Sequence, residues 1–253
     1  MSARYDCAST QQRESGITAA VAAVQQGELV VMPTDTVYGI GADAFMPPAV
    51  TALLAAKGRG RSMPPPVLVG SVRAAAALAE SLGAFGQDLI DEFWPGPLTL
   101  VFRAAPTLKW DLGDTLGTVA VRMPLHPVAL ELLRKTGPMA VSSANRHGFR
   151  PATIAADAES QLGAAVSVYL DGGPCADNVP STIVDLTGTV PRMLRAGVVS
   201  IDQLRKVVPM IDLPTPPYQA GDGKPEASGM PDSQGPKPAQ PHPLAGGDAG
   251  PGS

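Results

Sequence analysis

A layered α/β domain built on a mixed β-sheet is what this sequence predicts, and three observations predict it. Along residues 10–210, short apolar runs alternate with Ala-rich stretches of helical period, the mark of strands interleaved with helices. Some strand-like runs follow one another without a helix between them, as 98–102 and 118–122 do, which calls for antiparallel neighbours and so a mixed rather than wholly parallel sheet. From Leu213 onward aliphatic residues almost vanish and Pro and Gly dominate. Such a stretch buries too little apolar surface to offset its chain entropy, so 213–253 is expected to be a disordered tail behind one domain.

The elements follow in order. Residues 17–26 read as a helix that Gly27 stops, and 28–32 (ELVVM) as a short buried strand. Pro47 or Pro48 opens a helix reaching about Ala56, 67–69 is a strand, and Ser71 caps the helix VRAAAALAE. The strands 98–102 and Thr118–Arg122 precede a helix that runs from His126 and Pro127 to Lys135. The strand 139–142, a helix over 153–162, strands near 166–170, 182–186 and 193–195, and a last helix over 201–208 complete the body. No repeat of fixed period is visible.

Composition narrows the function. The net charge of −4 argues against holding nucleic acid by bulk positive charge. The tail carries Lys224 and Lys237 against Asp222, Glu226, Asp232 and Asp248, which leaves the body nearly neutral. Two cysteines, Cys7 and Cys175, suggest neither a disulfide framework nor a zinc cluster. No apolar run is long enough to span a bilayer and the N-terminus lacks a signal-peptide core, so a cytoplasmic protein without membrane attachment is expected.

Five stretches could carry chemistry. PTDTVYGIGADA (33–44) leaves a buried strand with hydroxyls, a carboxylate and glycines, suited to a small polar ligand or simply to a capped turn. Its GIGADA window matches the dinucleotide pattern G-x-G-x-x-A, but a helix cannot start before Pro47, and Lys57-Gly58-Arg59-Gly60-Arg61 stands where an acidic residue is required. That basic run, continuing through Met63 to three prolines, could converge on a polyphosphate or be a solvated charged face, and no P-loop accompanies it. Arg122 ends a strand that Pro124 halts, a place for capturing a carboxylate or phosphate or for a surface ion pair. Ser142 to Gly148 (SSANRHG) offers neutral hydrogen bonds to a base, ribose or phosphate, or an Asx turn. The segments 180–185 and 191–197 place a Ser and an Arg at strand ends. Ser143 and His147 lack an orienting carboxylate and a nucleophile elbow, so a hydrolytic triad is not expected.

Taken together, PTDTVYGIGADA, K-G-R with a downstream Pro, FWPGPLTLV, TVAVRMPLHP, SSANRHG, DGGP, STIVDL and PRMLRAG resemble, in content and order, the YrdC/TsaC family over residues 16–208. The resemblance implies a three-layer YrdC-like domain, a twisted mixed sheet flanked by helices around a positively lined cleft. It implies synthesis of threonylcarbamoyl-AMP and pyrophosphate from L-threonine, bicarbonate and ATP, with Mg²⁺ carried by the ATP. A downstream transferase would move the threonylcarbamoyl group to tRNA, and weak tRNA binding is compatible with the family. By motif, Thr36, Arg122 and Ser181 would hold threonine. Lys57 and Arg59 would act on the phosphates, and Met63, Thr118, Ser143, Asn145, Pro151 and Arg195 would complete the ATP site.

The sequence departs from the family pattern at Gly60, Pro65, His147 and Ala196. A double-stranded RNA or tRNA-binding module of the same fold is the alternative, disfavoured by the charge of the body. Since Lys57 and Arg59 lie in a Gly- and Pro-rich run, both are expected to be exposed cations that matter to chemistry and little to stability. The tail, free of matched motifs, is expected to be dispensable.

Overall fold

The computed structural model describes residues 2–175 and 179–213; beyond Leu213 the predicted tail lies outside the described residues. Ten strands form one sheet: β1 (Ala3–Asp6), β2 (Val30–Met32), β3 (Gly39–Asp43), β4 (Val67–Leu68), β5 (Leu98–Arg103), β6 (Thr118–Arg122), β7 (Met139–Ser143), β8 (Val168–Asp171), β9 (Thr182–Asp185) and β10 (Arg192–Arg195). The helices are α1 (Thr10–Gln25), α2 (Pro47–Lys57), α3 (Val72–Leu78), α4 (Gly83–Phe93), α5 (Pro127–Thr136), α6 (Ala155–Leu162) and α7 (Ile201–Val207). Strand order across the sheet is β1-β8-β2-β3-β7-β4-β6-β5-β9-β10. The pairs β1/β8, β2/β8, β4/β6 and β5/β9 are parallel and the rest antiparallel, so the predicted mixed sheet is found.

Three layers follow from the period-two alternation of strand side chains. Val30 and Met32 point to the face covered by Ile17 and Val24 of α1 and Leu132 of α5. Val31, between them, joins the opposite core with Leu53 of α2, Leu78 of α3, Leu89 of α4, Ala158 of α6 and Leu204 of α7. No helix among the described residues is long and apolar enough to cross a membrane.

Where structure and expectation differ, the reasons are local. Helix α1 begins seven residues early because Ser9 accepts from Gln12 N and caps the polar turns ahead of Ile17. Strand β1 alternates half-buried and exposed residues at the sheet edge, too polar and short to stand out. Helix α4 was likewise not anticipated. The main revision is β3, which lies in the stretch read as a strand exit suited to a small polar ligand or to a capped turn. Its glycines serve contact between strands instead: a Cβ on Gly39 would lie 2.7 Å from Val141 Cγ1, and one on Gly41 would lie 2.9 Å from Met139 Cε.

Candidate active site

Arg122 ends β6 with a side chain almost wholly buried, 6% exposed. A buried guanidinium must spend its donors inside the protein, and three are accounted for. Nε donates to Gly96 O (2.9 Å), Nη1 to Thr36 Oγ1 (3.0 Å) and Nη2 to Asp35 Oδ1 (2.6 Å). One N–H on each of Nη1 and Nη2 remains. Burial pulls the Arg122 pKa below the usual guanidinium value and Asp35 pushes it back up. Asp35 Oδ1 also accepts from Leu125 N at 2.9 Å, while its buried Oδ2 has no partner. Asp35 thus neutralises and orients Arg122, a role the sequence reading did not assign.

A second arginine closes on the next pair of strands. Arg195 of β10 donates through Nε and Nη2 to Ser181 O (3.1 and 2.7 Å) and through Nη2 to Ser181 Oγ (3.0 Å). Ser181 Oγ is also 2.8 Å from Thr99 Oγ1 of β5. Much of Arg195 is open to solvent, yet burial of its head, followed by the charges of Arg122 and Arg59, pulls its pKa down. Arg59, Arg122 and Arg195 therefore share one neighbourhood. The backbone holds this corner tightly: a Cβ at Gly197 would fall 2.3 Å from Pro180 O and 2.5 Å from the carbonyl carbon of Ser181.

The basic run divides three ways. Gly58 caps α2 in the left-handed region (φ 65°), which ends the helix and leaves Lys57 as its last residue. Lys57 is 1% exposed. This corrects the expectation of an exposed loop cation: the helix face, not the loop, sets its direction. Its Nζ donates to Ser143 O, to Asn145 O at 2.7 Å and to Asn145 Oδ1 at 3.3 Å. Burial first, and Arg59 second, push Lys57 down to about 7. Arg59 Nη1 reaches Ser142 Oγ (3.2 Å), and its Nε is buried without a partner. Arg61 turns away to a forked pair with Asp111 (2.9 and 2.7 Å), so the three cations do not converge.

The loop after β7 is built around these groups. Asn145 Nδ2 donates to Arg146 O and Phe149 O, both at 2.8 Å, so the side chain expected at ATP is engaged in shaping its own loop. His147 N donates to Lys57 O at 2.8 Å. Ser143 is half-buried beside Lys57 Nζ (3.5 Å to its Oγ), and Pro151 is half-buried in the same loop. Met63 is exposed, its N–H bonded to Gly60 O at 3.3 Å. Thr118 starts β6, four residues or about 13 Å along the strand from Arg122 on the same face. Its hydroxyl donates to Thr115 O at 2.8 Å.

The site's electrostatics are lopsided. Lys57, Arg59, Arg122 and Arg195 stand against one carboxylate, Asp35, in the described contacts. Two open concavities among the described residues, of 440 and 310 Å³, lie elsewhere, one lined by Asp6, Arg13, His126 and Asp171 and the other by Glu80, Phe102, Arg103 and Thr187. Neither includes any of the four cations, and the chemistry of the cations makes their cluster the better candidate. A floor of fixed positive charge and neutral hydroxyls can bind an anionic amino acid end and a polyphosphate together.

Comparison with known proteins bears on this arrangement. The family model for Sua5, YciO and YrdC proteins, described as telomere recombination, matches residues 22–197. A Mycobacterium tuberculosis protein provisionally named threonylcarbamoyl-AMP synthase is 58% identical over 208 residues, which cover 82% of this chain and 96% of that one. The structure of Pyrococcus abyssi Sua5 complexed with L-threonine superposes with a TM-score of 0.78 at 32% identity, covering 84% of this chain and 62% of that one. Escherichia coli YciO shares the fold, with a TM-score of 0.72 at 21% identity, 81% of this chain and 100% of that one. The chain thus spans less than two thirds of the Pyrococcus protein.

Proposed function

The chain belongs to the Sua5/YciO/YrdC family, and from that premise we propose that it is a threonylcarbamoyl-AMP synthase, joining L-threonine, bicarbonate and ATP into threonylcarbamoyl-AMP and pyrophosphate. The observation that carries the reading is the buried Arg122, held by Asp35, Thr36 and Gly96 with two N–H groups to spare. A carboxylate is the ligand such a fork prefers. The threonine in the Pyrococcus complex supports that choice, as do the relatives' names.

In this reading threonine's carboxylate meets Arg122 and Ser181, and its nitrogen faces Thr36. The amine attacks the bicarbonate carbon and a C–O bond breaks to release water, giving a carbamate whose oxygen attacks the α-phosphorus of ATP while the bond to pyrophosphate breaks. Arg59, with its spare buried Nε, and Lys57 sit where charge would build on the departing group, so the chain's contribution is positioning and electrostatic stabilisation. Met63, Thr118, Ser143, Asn145, Pro151 and Arg195 stay assigned to the nucleotide, Asn145 through the loop it shapes.

Mg²⁺ is proposed to enter with ATP. Asp35 has Oδ1 committed to Arg122 and Leu125, and no cluster of three metal-binding side chains occurs among the described residues, so phosphate oxygens and water would supply most ligands. Delivery of the product to a transferase acting on tRNA, in the cytoplasm, completes the proposal. The RNA-binding alternative is not favoured. The test is mass-spectrometric detection of threonylcarbamoyl-AMP, with pyrophosphate release that needs both threonine and bicarbonate. ATP turnover indifferent to threonine would overturn the reading.

A further inference from the structure

Counting protons gives two hydroxyls of the site opposite polarities. Thr34 Oγ1 lies 2.7 Å from Val37 O, and a carbonyl only accepts, so the Thr34 proton is committed there. The 3.1 Å contact between Thr34 Oγ1 and Thr36 Oγ1 must then use the Thr36 proton. Arg122 Nη1 takes one lone pair of Thr36 Oγ1 at 3.0 Å. What Thr36 has left for a ligand is a lone pair.

Ser181 ends up the other way round. Its Oγ accepts from Arg195 Nη2 at 3.0 Å and lies 2.8 Å from Thr99 Oγ1. Among the described residues Thr99 Oγ1 has no other acceptor, and Thr99 is 2% exposed against 6% for Ser181. If Ser181 donated to Thr99, a proton would be stranded in the more buried position, which is costly. If Thr99 donates, both lone pairs of Ser181 are filled and its proton is the group left for a ligand.

We propose that Thr34 and Thr99, two buried hydroxyls away from the ligand, are positioning residues that present Thr36 as an acceptor and Ser181 as a donor. This sets the orientation of a bound α-amino acid: its nitrogen toward Thr36, its carboxylate toward Ser181 and the free N–H groups of Arg122. The inference rests on the reading of this site as the threonine site, and it adds a discrimination, because an amide in place of the carboxylate brings its NH₂ donor against donors.

The experiment titrates L-threonine and L-threoninamide into the full chain by calorimetry, for the wild type, Thr99→Val, Thr99→Ser, Thr34→Val and Thr34→Ser, with melting temperatures alongside. Each Val variant is expected to weaken L-threonine about 3- to 10-fold, the scale of one neutral hydrogen bond. KM for ATP should stay put, and each Ser variant should return to within about twofold of the wild type, because it restores the same hydroxyl. Thr99→Val should also narrow the preference for threonine over the amide. Val variants that bind threonine as the wild type does, or Ser variants as weak as the Val variants, would overturn the proposal in favour of simple packing. A wild type that binds no threonine would instead remove the functional reading beneath it.

Discussion

Two buried cations of the site are stabilised in different ways. Arg122 has a carboxylate at 2.6 Å and forms a neutral pair. Lys57 has no carboxylate among its described partners; its ammonium rests on Ser143 O and Asn145 O, with Arg59 as its charged neighbour. Carbonyl dipoles solvate a cation without cancelling its charge, so the two corners should answer differently to mutation, pH and anions. In the proposed reaction the Arg122 corner would serve as a fixed receptor, and the Lys57 corner would take up a proton as a phosphate arrives.

Breaking the pair should have the largest effect. Arg122→Ala leaves Asp35 buried with no counter-charge and is expected to destabilise the fold by about 3 kcal/mol, the scale of a buried pair that loses one partner. Threonine KM should rise far more than that of ATP. Denaturant titration and substrate titrations together check this, and an effect confined to ATP would misplace the amino acid.

Removing the unpaired cation should come next. Lys57→Ala strips the donor from two loop carbonyls and is expected to cost about 1 to 3 kcal/mol, besides lowering turnover roughly 100-fold. Arg59→Ala, which forfeits one described hydrogen bond to Ser142, should lower turnover on a similar scale with a much smaller change in melting temperature. Equal melting shifts in the two variants would erase the contrast between them.

The contrast sharpens with pH. Lys57 falls from its ordinary 10.5 to about 7 in the folded protein. Between those values the unfolded chain binds more protons, so stability should rise with pH from about 7 upward and lie flat with respect to this group below it. An arriving triphosphate favours the ammonium form, so ATP binding above pH 7 should take up a proton, measurable by calorimetry in buffers of different ionisation enthalpy. Lys57→Met should abolish both slopes, whereas Arg122, charged throughout, contributes neither. The smallest effect is expected at Arg61, whose pair with Asp111 is exposed to solvent: Arg61→Ala should leave turnover and melting temperature unchanged within error.

Much of this was legible in the sequence. Short apolar runs located most strands, and Pro47, Ser71 and Pro127 marked helix starts correctly, because capping chemistry is local. Thr36, Arg122, Ser181 and Arg195 do come into contact as pairs, having been singled out from motifs far apart in the chain. What stayed hidden depended on tertiary neighbours. The strand character of Gly39 and Gly41 comes from Val141 and Met139 pressing on them. Burial of Lys57 comes from the loop folded over the end of α2. Asp35 and Thr99 carry no local sign that one would grip Arg122 and the other Ser181.

The site draws on residues from Thr34 to Arg195, most of the folded length. Ser181 receives its guanidinium from β10, whose register on β9 shifts between Met193 and Arg195 so that the arginine reaches back. On a ribosome, then, the chain can have its first strands and helices in place and still lack Arg195, the last side chain of the proposed site and the one that holds Ser181. Binding competence should switch on late in synthesis and nearly all at once, as β10 joins the edge of the sheet.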